Sequence, residues 1–453
     1  MKNKAGLSRR EFLKSAAAAA ITAHIGIPAF AQEKVEGLNL AIIGAGGQGS
    51  HVLMPAAKRA GCRFLAVCDI RPDNRERALR MAEKGAKGYE DYRKLLDEMA
   101  DKLDAVIIAV PLWKHAEVTI AAFEAGLNVF CEKTMAYDLE QCKAMLRAQR
   151  KAGKILQIGH HLRYHPTYHH AKKAYIEKGL LGEITFVHAH WNRNASWRRP
   201  VPDSIKNMDF TKWGYPDAEH LVNWRLYKEL SGGLMTELAS HQTDVVNWML
   251  DKTPVAATGV GGIDYYKDGR TVYDNVHVVF EYPGGIKFHV ESLTTNAFSM
   301  FGEQVEIIKG TKGTLILSNV PKPYGLFVLE RGAREEIWMA AAEKITIGDH
   351  AEKATEVRVR DRDAIILDAS ATQDPEGPRI ADIPLYELVD KGGWPKKTTY
   401  ELEMLEFVQS VRKGLKPTCD GEVGIRSAAP AIIANQAMAR QERVEVPKDA
   451  YVY

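Results

Sequence analysis

The sequence predicts an α/β protein of two domains, an N-terminal doubly wound parallel sheet followed by a second, strand-rich α/β domain. Three observations carry this reading. Short apolar runs alternate with helix-like stretches from residue 36 to residue 158, the pattern of parallel strands buried on both faces. The first of these runs feeds into the glycine-rich turn GAGGQG and then a helix-like stretch. Beyond residue 159, apolar and polar residues alternate on both sides of Pro283-Gly284-Gly285, as in a half-buried hairpin. At 453 residues the chain is too long for one ordinary core, which agrees with two domains.

Residues 1–31 stand apart. Ser8-Arg9-Arg10 leads into Phe12, Leu13 and Lys14, then an Ala-rich run to Ile27, then small residues at Ala29 and Ala31. A charged start, a short apolar middle and a small-residue exit make a secretory signal. The paired arginines resemble a twin-arginine signal, with cleavage expected after Ala31. The twin-arginine export machinery is then a partner and the periplasm the expected location. Residues 16–20 are all alanine and have no polar face, which argues against an amphipathic helix. No cysteine lies at the exit, so no lipid anchor is expected, and no membrane span is expected after processing. A net charge of +3 gives no reason to expect nucleic acid as a partner. The five cysteines are too few for a disulfide scaffold, and those in apolar runs read as buried thiols.

The run Leu38 to Ile43 enters G-A-G-G-Q-G directly, with Gln48 inside the turn and a helix expected from His51 to Arg59. Gly44 permits the tight turn, Gly46 lets the backbone approach a pyrophosphate, and Gly49 lets helix and strand pack closely. A second strand ends at Asp69, 20 residues past Gly49. A carboxylate there accepts hydrogen bonds from ribose hydroxyls and repels a 2′-phosphate, favouring NAD over NADP, although Arg71 keeps NADP open. Further strands, AVIIAV, NVFCEK and ILQIGH, complete a Rossmann domain. Ligands of such a sheet lie at the carboxyl ends of its strands, where Val110, Pro111, His115, Glu132 and Lys133 fall.

The segments CEKTMAYDLEQCKAM and QIGHHLRYHP, with VPLWKHAE and EFVQSVRKGLKPTCDGEVGIRSA, resemble the Gfo/Idh/MocA oxidoreductases, NAD(P)-dependent enzymes acting mostly on sugars and polyols. The resemblance implies a C-terminal α/β domain (residues 159–453) with a large, open, mostly antiparallel sheet, and a homo-oligomer formed through it. Residues 321–397, rich in charge and proline, read as an insertion. Lys133 falls at the lysine of the family's E-K-P motif, with Thr134 in place of proline. Beside a positively charged nicotinamide its pKa is expected to fall, which suits general acid–base work. Glu237, Ala239, His241 and Asp244 occupy the family's D-x-G-x-H-x-x-D places. His241 is the expected proton partner and Glu237 shares its helix face; Asp244, one turn on, is grouped with the substrate-binding residues, where it either orients His241 or simply caps and pairs. Arg163 and Tyr164 fall at the N-R-[FY] segment, which implies Arg163 beside the cofactor and Tyr164 among the catalytic groups; His161 replaces the usual asparagine on the substrate side. Trp197-Arg198 and Trp224-Arg225 pair an aromatic face with a guanidinium, as sugar binding requires, though buried tryptophans in surface loops read equally well.

His165 and His169 have metal-compatible spacing, but no carboxylate or cysteine completes a set, and no metal is expected. The chain thus reads as an exported oxidoreductase with a tightly bound, internally recycled NAD, drawing a hydride from a sugar ring carbon, C3. The alternative is an NAD-dependent glycosidase passing through a 3-keto intermediate, since exported relatives work in both ways. A cofactor-stabilised binding protein without turnover is disfavoured by Lys133 and His241.

Overall fold

The computed structural model describes residues 36–320, 325–333, 356–359, 362–371, 377–390 and 394–453. The signal segment 1–31 lies outside the described residues, as does part of the segment 321–397.

Six parallel strands form the first sheet: β1 (Asn39–Ile43), β2 (Arg63–Cys68), β3 (Lys87–Tyr89), β4 (Ala105–Ile108), β5 (Asn128–Glu132) and β6 (Leu156–Gly159), in the order β3-β2-β1-β4-β5-β6. All four residues of β4 are buried, as expected of a strand covered on both faces. The crossovers are capped by local chemistry. Asp138 accepts from the Gln141 amide at the start of helix Leu139–Ala152, and Gly153 ends it in the left-handed conformation at φ 64°. The helix expected after the glycine turn begins as a π-turn, Gly49–Leu53, and becomes α-helical at Met54–Arg59, where Pro55 sits in its first turn.

The second sheet has ten strands. They are β7 (Ile184–Trp191), β8 (Ala256–Gly262), β9 (Asn275–Glu281), β10 (Lys287–Leu293), β11 (Gln304–Gly310), β12 (Gly313–Val320), β13 (Gly325–Leu329), β14 (Glu356–Val359), β15 (Arg362–Ile366) and, after a two-stranded ribbon β16 (Arg379–Ile380) and β17 (Ile383–Pro384), β18 (Val444–Glu445). Their order is β14-β15-β13-β12-β11-β7-β10-β9-β8-β18, and every neighbouring pair is antiparallel except β7 with β10. The β9–β10 hairpin turns at Gly284 and Gly285, whose φ of 87° and 84° only glycine adopts without strain. It aligns Phe280 with Phe288 on the buried face, rings 5.6 Å apart. Within 321–397, β13, β14 and β15 extend one edge of this sheet, while β16 and β17 form the separate ribbon.

Helix Gly421–Arg440 ties the two sheets together. Its Ile425, Ala428 and Ile432 enter the core of the parallel sheet, and its Ala431, Ala434 and Met438 enter that of the antiparallel one. Its apolar positions thus serve two cores, while Arg426 and Arg440 remain exposed. All five cysteines are buried free thiols. No described helix is long and apolar enough to cross a membrane.

Candidate functional site

A cleft of about 750 Å³ opens at the carboxyl ends of the parallel strands. Its floor is the glycine turn. Gly44, at φ 91°, packs so closely that a Cβ would lie 2.5 Å from the Ala109 carbonyl oxygen, and one on Gly49 would lie 2.2 Å from the Gly44 oxygen. Gly46 and Gly47 have no atom within 4 Å of the place a Cβ would take, so their backbone is open to a phosphate group. Asp69 follows β2 at the cleft; its carboxylate accepts from the Ala45 and Arg71 amides, both at 2.8 Å. The Arg71 guanidinium is clamped on Asp73 at 3.1 and 2.6 Å, so the one local argument for a 2′-phosphate is already paired. Gln48 donates to Glu132 at 2.7 Å, joining the turn to β5, and the His115 ring bridges the Val110 and Thr134 carbonyls. These residues fit an NAD-type dinucleotide.

Beyond the turn, the second domain closes the cleft with chemistry. Lys133 follows β5, and its Nζ donates to the Glu237 carbonyl at 2.6 Å. Burial lowers its pKa, while the charges of Glu237 and Glu132 pull it back up. The Lys133–Thr134 peptide is cis. Glu237 lies in the π-turn Met235–Ala239, and its carboxylate accepts from Arg225 at 2.8 Å. His241 follows in helix Ser240–Leu250, 3 % exposed, with its Nδ1 unpartnered among the described residues. Burial pushes its pKa well below the ordinary imidazole range, and Lys133 and the rings of His161 and His160 add to this. His241 is therefore held in its neutral form.

Several expected site residues lie elsewhere. Tyr164 is corrected from a catalytic to a structural role: its hydroxyl donates to Glu406 at 2.7 Å, inside a cluster with Ile380, Leu385 and Leu402. Arg163 points away from the cofactor turn; its Nε donates to both Asp244 oxygens at 3.0 and 2.9 Å. Asp244 is 1 % exposed and also accepts from Ser427, so it is held in a buried pair and out of the substrate's reach. His161 stacks on Tyr400 at 4.3 Å and bonds Thr399, supporting His241 from behind at a ring separation of 5.0 Å. Arg198 is bound to Asp268 and Glu219, away from the cleft. His165 and His169 contact different partners, the Thr167 amide and the Arg163 carbonyl.

Trp197, Trp224 and Arg225 do line the cleft, Arg225 lying 4.3 Å over the Trp224 ring. So do Arg193, Arg199 and Tyr400, which the sequence reading missed. The Arg193 guanidinium sits between the Trp191 and Trp197 rings, 5.1 and 5.5 Å from their centroids, with no ion pair to any described residue. The signal was present in WNRNASWRRP, but it pointed to Arg198 where its neighbours on either side, Arg193 and Arg199, face the cleft.

A glycine-rich turn that cradles a dinucleotide, facing a buried lysine–histidine pair across a polar cleft, defines a nucleotide-dependent oxidoreductase. The profile described as "Oxidoreductase family, NAD-binding Rossmann fold" matches residues 38–160, and "Oxidoreductase family, C-terminal alpha/beta domain" matches residues 173–446. The chain belongs to this Gfo/Idh/MocA family. It is 26 % identical over 275 residues to a 2,7-anhydro-N-acetylneuraminate hydratase of Mediterraneibacter gnavus, covering 61 % of this chain and 66 % of that one. To the inositol 2-dehydrogenase of Salmonella typhimurium it is 34 % identical over 217 residues, covering 46 % of this chain and 63 % of the relative. The chain thus spans just under two thirds of the length of these two relatives. Among solved structures, a levoglucosan dehydrogenase in complex with NADH and levoglucosan shares the fold at 20 % identity. Its TM-score is 0.66, over 91 % of this chain and all of that one.

Proposed function

We propose that the protein is an exported NAD(H)-dependent oxidoreductase that removes a hydride from a ring carbon, C3, of a sugar or glycoside and keeps its cofactor bound between turnovers. The observation that carries this is the meeting of Lys133 with His241 and Glu237 in the cleft that the glycine turn opens. When bound, the dinucleotide supplies the hydride acceptor and donor. Everything else falls to this chain. Lys133, its pKa lowered by burial, takes the hydroxyl proton at Nζ as the carbonyl forms and returns it in the reverse direction. His241, held neutral by burial, hydrogen-bonds the same oxygen and orients it. Glu237 holds Arg225 in the cleft, and Trp197 and Trp224 offer aromatic faces to the C–H surface of a ring. The paired Arg71 and the Asp69 carboxylate favour NAD over NADP. The twin-arginine segment supports export, and a compartment with little free NAD favours a cofactor regenerated in place.

A second reading, a redox-neutral glycosidase, is favoured by the likeness to a hydratase, whose named reaction involves no net oxidation. A ketone at C3 acidifies the neighbouring C–H, so the C1 substituent can leave and water can add before the ketone is reduced again. Lys133 and His241 would exchange the protons here too.

The deciding experiment uses purified protein with no cofactor added. Sugars that raise the absorbance of bound reduced nicotinamide support the oxidoreductase. Nitrophenol release from nitrophenyl glycosides, without net reduction, supports the glycosidase. If neither occurs, and Lys133→Met behaves as wild type on any substrate later found, the assignment of the site fails.

A further inference from the structure

On the antiparallel sheet, away from the cleft, five chemistry-bearing side chains share the face opposite the main core, where His190 is buried beside a smaller apolar cluster that includes Val305. In β7, His188 and His190 are two residues apart and so project to the same side. The parallel register sets His289 of β10 beside His188 and Glu291 beside His190, while the antiparallel register sets His277 of β9 beside Glu291. A ligand atom of each of His188, His190 and Glu291 lies within 4.8 Å of the others.

We propose that His188, His190 and Glu291 form a binding site for a divalent first-row transition ion of the zinc type. Two nitrogen donors and one carboxylate suit such an ion, whereas magnesium and calcium prefer oxygen alone. The ligands are oriented beforehand. His190 Nε2 lies 3.0 Å from the Gly302 carbonyl, to which it can only donate, so the neutral ring keeps its lone pair on Nδ1. That Nδ1 is buried and has no partner among the described residues, an unmet need that a metal ion answers. Asn192 donates to Glu291 Oε1 at 3.2 Å, leaving Oε2, which faces His188 Nε2 at 4.0 Å. This is the outer support that metal-bound imidazoles and carboxylates need. Two ligand atoms on one tetrahedral ion stand roughly 3.4 Å apart, given metal–nitrogen bonds of about 2.1 Å. Small rotations of His188 and Glu291, whose side chains are 28 % and 24 % exposed, close the remaining gap. His277 and His289 extend the patch, His289 stacking on His188 at 5.2 Å.

The test uses the full chain, stripped with chelator and titrated with Zn²⁺ by calorimetry, then with Co²⁺ to read the coordination bands. Wild type is expected to bind zinc in the presence of excess Mg²⁺, and His188→Ala and Glu291→Gln each to weaken it at least tenfold. Both variants are expected to keep wild-type circular dichroism and dinucleotide binding, since neither residue lines the cleft. Absence of zinc binding by wild type at micromolar ion, or equal binding by folded variants, overturns the proposal.

Discussion

Replacing Arg163 with methionine separates a structural role from a cofactor role. Methionine keeps much of the side-chain volume but removes the charge opposite Asp244. That carboxylate is 1 % exposed, and Arg163 meets both its oxygens at 3.0 and 2.9 Å. Breaking a buried pair from one side costs about 3–5 kcal/mol, because the remaining charge is stranded out of water. For a chain of this size, a loss of 1 kcal/mol lowers Tm by roughly 1 °C, so Arg163→Met is expected to melt about 3–5 °C early. Adding Asp244→Asn should restore much of the loss, since no charge is then stranded. The effect also has a pH signature. Burial raises the Asp244 pKa, but Arg163, His160 and Ser427 outweigh it, and the net shift is downward. A carboxyl depressed by folding stabilises the protein above its unfolded pKa, near 4, and loses that contribution as pH falls through the folded value. The gap between wild type and Arg163→Met is therefore widest near neutrality and narrows below about pH 4. Thermal melts across pH, together with dinucleotide titration of both proteins, read it out. A variant that melts with wild type but binds NAD tenfold more weakly would refute the buried-pair reasoning and return Arg163 to the cofactor.

Lys133→Met is expected to lower kcat by about 10²–10⁴ with NAD binding retained, measured by stopped-flow and cofactor titration. Because the Glu237 charge raises the Lys133 pKa, Glu237→Gln should move the acid limb of the kcat/KM profile to lower pH; an unmoved limb removes Lys133 as the titrating group. Gly44→Ala should destabilise the fold, its Cβ meeting the Ala109 oxygen at 2.5 Å, whereas Gly47→Ala should leave Tm unchanged and weaken NAD binding. Glu306, buried and bonded to Tyr168 and Gln242, has its pKa raised by burial to about 7. An acid raised by folding holds its proton longer in the native state, so it costs stability as pH rises from its unfolded value towards 7, by about 3 kcal/mol in total. Glu306→Gln should flatten that slope in denaturant titrations at pH 5 and 8.

The glycine turn, the strand after it and Asp69 were legible because they depend on neighbours in the chain: a φ of 91° at Gly44 and a carboxylate at a strand end are local requirements. The same holds for the hairpin at Gly284-Gly285 and for Lys133 at the end of β5. What sequence alone could not place were the charges. Arg163 and Tyr164 are adjacent, yet one serves Asp244 and the other Glu406, partners 81 and 242 residues away. Arg198 and its neighbour Arg199 differ only in which side of one loop they face, and an acidic pair from distant segments decides which becomes structural. The histidines of β7, β9 and β10 carry no common motif and meet only through strand register. Local conformational energy is written in short stretches of sequence. The pairing of charges is settled only once burial has removed the water that would otherwise satisfy each of them alone.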